Sequence, residues 1–542
     1  KPEREERIDS QGALSVIARF AYAGLGRCLS RTNEAGFATG FRYDVFGRVV
    51  ETILPDGTSI KKNYSPCSTQ DYPLDIRAND YVLGSLAYDG LMRITRSTVG
   101  DRAEQLSYEG WQTQPSQRIT AAGEVVKFAF DPLLNGVINS REGSHAALSA
   151  RYRVDPRTAE LIETSNPVVQ HRVDYFASGN VKTQEWVASA GSYRTSNTCS
   201  LNGLLTRFVD VNNLETTYDY DRAARPVRVE QGPVSAHYTY GPRGDLLTLS
   251  VRDSASQRSQ TTRLVHDDFG REIKRSSLLS DGSELVIEQA FGADDKLRQR
   301  SLTHDGSTRT ETFAYDQRAR LVRYDGEGTA RPLDPWGKRI NSQQFSYDYL
   351  DNLLTVLTAF DGGEDLCTFA YERADKTQIS SLTHSHGDYQ PQAVRFEYDG
   401  NGNLLNDEQG RHFKYDALSR LASVSSIADT HYGFDAEDRL HSVSSESGEW
   451  VRQFYKGDAL CSEVDGRQRR SLLACGGQML AEQQGDSTVL FVTDGQGTAL
   501  KRVSAEDESV LSHAPYGHRA ITDGLGSLLG FQGERLDPAT GC

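Results

Sequence analysis

Carboxylates are the groups in this chain best supplied for chemistry. Two adjacent pairs, Asp267-Asp268 and Asp294-Asp295, stand beside a recurrent aspartate that follows a tyrosine: Asp44, Asp89, Asp221, Asp316, Asp348, Asp399 and Asp416. Two carboxylates share acid–base work when one cleft holds their pKa values apart. These aspartates fall at bends instead, where the side chain accepts bonds from backbone N–H groups two residues on, and turn capping is the expected role. His513 and His518 flank Pro515-Tyr516-Gly517, a spacing that brings neither further zinc ligands nor a serine or cysteine nucleophile, so packing is expected of them. The cysteines Cys28, Cys67, Cys199, Cys367, Cys461, Cys475 and Cys542 are never closer than fourteen residues, and no CxxC pair exists. That excludes a zinc-finger pattern and a disulfide framework; reduced, mostly buried thiols and folding in a reducing compartment are expected. "GNG" at Gly400 to Gly402 lacks the strand–helix context of a phosphate loop and reads as a turn. Asp131, Asp155, Asp334 and Asp537 each precede a proline, which breaks strands. No catalytic residue, cofactor or metal is assigned.

Bulk properties narrow the classes. A net charge of −15 argues against a nucleic-acid binder, and the apolar runs are too short to span a bilayer. Hydrophobic residues make up 37%, low for a compact core yet too high for a disordered chain. The 25 Tyr and 20 Phe, against 2 Met, carry much of the core-forming capacity, and 48 Gly spread along the chain imply many tight turns.

The elements that position these aspartates repeat. "FEYDGNGNLL" at Phe396 is followed closely by "FKYDALSRLA" at Phe413, and copies run through the chain, with central tyrosines at Tyr22, Tyr43, Tyr88, Tyr220, Tyr315, Tyr347, Tyr398 and Tyr415. Tyr22 and Tyr43 are 21 residues apart and Tyr398 and Tyr415 are 17 apart, a loose period near twenty. In one unit, Phe41 and Tyr43 share a strand face, Asp44 opens a turn, Gly47 takes its fourth position, and Arg48-Val49-Val50 resumes the strand. Ala224, Ala319, Ser419 or Asp438 replaces the glycine in other copies, leaving the bend geometry open there. Each unit is a β-hairpin, and helical periodicity is scarce, so the chain is all-β. Hairpins in series must pair edge to edge into a long sheet that twists. A propeller, a flat solenoid and a spiral around a cavity are the possible outcomes; a two-strand unit fits the spiral best. Exposed tyrosine rows would suit a glycan-binding adhesin, whereas buried rows would staple neighbouring hairpins, which the regular Phe-x-Tyr spacing favours.

The YDxxGR units resemble the YD repeats of Rhs proteins, of the B and C components of bacterial Tc toxins, and of teneurins. The stretch from Ala514 to Cys542 resembles the opening of the Rhs-associated core domain at Pro515, Tyr516, Gly517, Leu529, Gly530, Phe531, Gly533, Glu534, Arg535, Asp537, Pro538, Thr540 and Gly541. The resemblance implies YD-repeat hairpins in a long spiralling antiparallel sheet that walls a hollow shell, or cocoon. It assigns 1–512 to the wall and 513–542 to the start of the core, or plug, domain. It implies encapsulation of a toxic C-terminal domain, later cleaved, by a protein made in the bacterial cytoplasm and then secreted or delivered. The expected partners are that toxic domain, the remaining N-terminal shell or plug segments, and a delivery machine, a type VI spike protein or Tc components; no nucleic acid and no membrane span are expected. The family's aspartyl autoprotease would place its catalytic residues beyond Cys542, so this segment is expected not to be an enzyme. Beginning at Lys1 without a methionine and stopping within the core motif, the chain is expected to be an internal piece of a longer protein.

Overall fold

Alternating apolar and polar residues put one face of each strand in the dry interior; Val234–Tyr240 buries Val234, Ala236 and Tyr238 while His237 and Thr239 stay exposed. The computed structural model describes residues 1–134, 136–426, 429–445, 450–466, 468–505, 508–514, 517 and 529–535. Within them every strand pairs antiparallel with the next one in sequence, except at one break between Ala393–Arg395 and His412–Tyr415. A 34-stranded sheet runs from Arg4–Ile8 to Ala393–Arg395, and an 11-stranded sheet from His412–Tyr415 to Glu508–Val510. Isolated bridges, Tyr398 with Leu404 and Asn406 with His412, carry the ribbon across the break. Two short 3-10 turns, Ala146–Leu148 and Phe531–Gly533, are the only helical elements among the described residues.

The register slips at the same place in unit after unit, immediately before the central aromatic: between Arg42 and Tyr43, Ala87 and Tyr88, Asp219 and Tyr220, Ala314 and Tyr315, Ser346 and Tyr347, Lys414 and Tyr415. In the turn at Asp44 the N–H of Gly47 donates to the Asp44 carbonyl and that of Asp44 to the Arg48 carbonyl, with Gly47 at φ 88°. This is a type I turn closed by a left-handed residue and a bulge, a combination that bends and twists the ribbon at each repeat.

The twist brings the ribbon back onto itself. Bends of the later winding dock on the earlier one: Arg7 on Asp295, Ser10 on Asp268, Arg102 on the Asn401 carbonyl, Arg141 on Asp438 and Tyr152 on the Ala436 carbonyl. The sequence separation across these contacts lies between 258 and 299 residues. It falls to 252 at Gln231–Gln483, 218 at Arg275–Thr493 and 203 at Arg309–Ser512. The winding therefore narrows, and the 11-stranded sheet lies against the first. Between the two sheets sits the largest apolar cluster, with Trp186, Phe208, Val229 and Leu285 from one and Phe454, Leu473, Leu480 and Leu490 from the other.

Of the six described cysteines, all free, only Cys367 and Cys461 are buried; Cys28, Cys199 and Cys475 are half-buried and Cys67 is exposed. This corrects the expectation of mostly buried thiols. A ribbon two strands wide per unit leaves much of each hairpin near a surface, and the thiols fall there.

Candidate site at the hairpin spine and the seat of the C-terminal motif

The repeat residues converge on one recurring arrangement. Asp44 Oδ1 accepts from the backbone N–H groups of Phe46 and Arg48 at 3.0 and 2.9 Å, and Oδ2 accepts from Arg48 Nε at 2.7 Å. Asp89 with Arg93, Asp221 with Arg225, Asp316 with Arg320 and Asp416 with Arg420 repeat this, while Asp348 and Asp399 use Asn352 and Asn403 in the arginine's place. Bonds from the Arg93 side chain and the backbone hold the Asp89 carboxyl below its ordinary range. The copies without glycine have the same bend: Ala224, Ala319, Ser419 and Asp438 sit at φ 62°, 69°, 60° and 66°. Backbone bonds to the carboxylate hold a left-handed conformation that their side chains disfavour.

The tyrosines link one hairpin to the one before. Hydroxyl groups donate to the carbonyl that opens the preceding return strand: Tyr43 to Cys28 at 2.8 Å, Tyr88 to Pro73 at 3.0 Å, Tyr220 to Leu205 at 2.8 Å, Tyr347 to Leu321 at 2.8 Å and Tyr398 to Ile379 at 3.0 Å. Burial pushes the Tyr88, Tyr315, Tyr398 and Tyr415 hydroxyls up, and that of Tyr220 up to about 12. Tyr22 instead stacks on Phe20 at 6.3 Å. The bend arginine completes the link. Arg48 lies 4.5 Å from the ring centre of Tyr64, the next aromatic along, Arg225 4.4 Å from Tyr240, Arg298 5.3 Å from Tyr315, and Arg320 4.9 Å from Tyr347. Arg320 also donates to the Asp348 carbonyl of the next bend at 2.9 Å. Sequence reading placed the arginine only as the start of a strand. Its constant distance of four from the aspartate carried half the signal, but its second partner lies one hairpin away.

At the other end, Leu529 to Arg535 seats on the 11-stranded sheet. Ala499 N–H donates to the Gly530 carbonyl, Gln532 N–H donates to Thr498 Oγ1 at 3.0 Å, and Leu529 packs with Phe491 and Ala499. Arg535 reaches Glu463 at 2.6 Å; Arg470 meets Glu463 at 2.9 Å and Glu482 at 2.7 Å. Burial lowers the pKa of the Arg535 guanidinium, with the Glu463 carboxylate opposing. Glu463, Glu482 and Arg535 line a cavity of about 570 Å³, whose apolar lining includes Val443, Leu472, Met479 and Phe491. Gly517, at φ 87°, lies so near the Phe531 ring that a Cβ there would stand 2.9 Å from it. Gly533 is left-handed at φ 78°, and the Glu534 N–H closes a turn to the Phe531 carbonyl. Pro515, Tyr516, His518, Asp537, Pro538, Thr540, Gly541 and Cys542 lie outside the described residues.

The arrangement anchors one hairpin to the next and one winding to another. Asp267 and Asp294 cap bends with Arg271 and Lys296, Asp268 and Asp295 dock across windings, and the Gly402 N–H closes a turn to Asp399. His513 is buried beside Phe531 at 6.1 Å. Among the described residues no three His, Cys, Asp or Glu side chains group to hold a metal.

The teneurin YD-shell family model matches residues 254–542, and the RHS repeat model matches 22–59. Double-stranded DNA deaminase toxin A of Burkholderia cenocepacia (strain H111) is 23% identical over 474 residues, 76% of this chain and 32% of that protein. Two solved structures share the fold at 12% identity over 99% of this chain: the Photorhabdus luminescens Tc holotoxin pore (TM-score 0.63) and TcdB2-TccC3-Cdc42 (0.60). This chain covers 34% and 35% of theirs, about a third of the length of the proteins it matches.

Proposed function

Since the chain belongs to the Rhs/YD-repeat family, we propose that it is a wall segment of a secreted bacterial toxin, enclosing a toxic C-terminal domain until delivery. The observation that carries this reading is the return of the ribbon onto itself, bend to edge, with a winding that narrows along the chain. Such a winding is made to surround something. An acidic, hydrophilic wall gives an unfolded cargo little apolar surface to collapse on. The free thiols fit loading from a reducing cytoplasm and so favour a type VI spike as carrier, with Tc components next.

The segment itself is proposed to cut nothing; cleavage is assigned to residues downstream of Cys542. Residues 1–542 incubated alone are expected to stay intact, and the complete polypeptide to cut itself. Electron microscopy of the complete polypeptide is the deciding measurement. A hollow particle with weak internal density supports the shell. A solid rod or flat ribbon overturns it and gives precedence to a glycan-binding adhesin.

A further inference from the structure

The hairpin tip 434–439 makes a dense contact between windings. Arg141 forks onto Asp438 at 2.8 and 2.9 Å, Tyr152 Oη donates to the Ala436 carbonyl at 2.6 Å, and Asn166 donates to the Phe434 carbonyl at 2.8 Å. His171 Nδ1 lies 2.9 Å from Glu437 Oε1, and its ring stacks flat on Trp186 at 4.7 Å. Directly behind the tip is His441, 2% exposed and edge-on to Phe454 at 5.6 Å. One ring nitrogen bonds the backbone of Gln453, whereas Nε2 is buried without a hydrogen-bond partner among the described residues.

We propose that this contact is an acid-sensitive clamp, released when His441 takes up a proton. A proton on Nε2 would create a buried N–H with no acceptor, on a ring that already faces the Arg452 and Arg439 guanidinium groups. Arg452 faces it from the strand Trp450–Lys456, His171 from Gln170–Tyr175, and Arg439 from its own hairpin. Burial, with these charges added, pushes His441 down to about 4 from an ordinary 6.5. The neutral ring thus supports the clamp fully above pH 6.5, and that support is lost as pH falls toward 4. Glu437 acts in the same sense: although burial opposes it, His171 and Arg439 hold its carboxyl below 4.5, so its contribution also fades in acid. Asp435 acts oppositely, since burial raises its pKa and protonation relieves a desolvated charge.

The inference rests on the shell reading for its meaning, because releasing this tip would undo one attachment of the second sheet to the first, yet the test does not depend on a cargo. Backbone hydrogen exchange of residues 430–445 and 150–175 in the 542-residue chain is followed from pH 7.5 to pH 4.5, with rates corrected for intrinsic exchange. Wild type is expected to lose protection at least tenfold, the ceiling from His441 alone being roughly 80-fold at pH 4.5, while strand Ser259–His266 is unchanged. His441→Phe, which cannot titrate, is expected to keep its protection at pH 4.5; should Phe not be accommodated, His441→Gln is the substitute. Protection independent of pH in wild type, or an equal loss in the non-titrating variant, would overturn the clamp. A clamp that releases in a particle without a chamber would leave this inference standing and sink the shell.

Discussion

The bend at Asp316 shows how much one carboxylate contributes to the ribbon. Asp316 Oδ1 accepts from the N–H groups of Arg318 and Arg320 at 2.8 and 2.9 Å, and Oδ2 accepts from Arg320 Nε at 2.6 Å. Ala319 in this turn is held at φ 69°. Asp316→Ala removes both backbone bonds, a loss like that of a helix cap, about 1 kcal/mol with a range of 0.5–2. The left-handed conformation of Ala319, disfavoured by about 1–2 kcal/mol, is present with or without the carboxylate and does not add to this loss. Arg320 keeps Asp351 at 2.9 Å, which limits the ion-pair loss. The loss of about 1 kcal/mol corresponds to roughly fivefold in the local opening constant, within a range of about 2- to 30-fold. Repeat ribbons open unit by unit, so amide exchange at Arg318, Ala319 and Arg320 is the suitable assay rather than a global melt. Ala319→Gly is expected to slow exchange in the wild-type background and to return about three- to fivefold of what Asp316→Ala loses. Exchange within twofold of wild type in Asp316→Ala, or faster exchange in Ala319→Gly, would refute the account of how these bends are held.

Tyr347→Phe deletes the bond to the Leu321 carbonyl and should cost about 0.5–1.5 kcal/mol, read as faster exchange at the junction of those two hairpins. Trp186→Ala, at the join of the two sheets, should cost about 3–5 kcal/mol and lower the temperature at which near-ultraviolet dichroism is lost. Glu463→Ala strips Arg535 of its carboxylate and should make trypsin cut after Arg535 faster, while cuts in the first winding keep their rate. Acid should act in two stages. The Asp375 carboxyl, which burial would raise, is brought below 3.8 by bonds from Thr377 and by Arg102, and Asp294 is lowered likewise by Lys296 and Arg298. Groups with depressed pKa support the fold above 3.8 and lose that support only as pH drops further. The wall should therefore keep its far-ultraviolet dichroism at pH 4.5, where the clamp at His441 is expected to be weakened already; simultaneous loss of both would contradict this order.

The repeat was legible because each hairpin is a local object. Phe41 and Tyr43 two apart, Asp44 at the bend and Gly47 at its close specify strand, turn and return within ten residues. The repeat tyrosines are half-buried rather than fully buried rows, and nothing in the pattern indicated that Tyr43 would reach the Cys28 carbonyl. What stayed hidden depends on distance along the chain. Nothing near Arg141 names Asp438, 297 residues on, as its partner, because the curvature that joins them is summed over many bulges. The pairing of His171 with Glu437 was invisible for the same reason. Of the C-terminal motif, Arg535 was marked by pattern alone; its role followed only once Glu463 and Arg470 stood beside it.

The fixed pairing of each inter-winding contact turns the number of units between its partners into a structural quantity. Insert one extra hairpin, about the 20 residues that separate Tyr220 from Tyr240, anywhere between Arg141 and Asp438. Every later bend then advances by one tooth, and Asp438 faces a neighbour that carries no Arg141. Substitution inside a unit is absorbed locally, whereas gain or loss of a unit throws a whole circumference out of registry. Such a ribbon can grow at its ends or by a full circuit, and its middle is locked by counting.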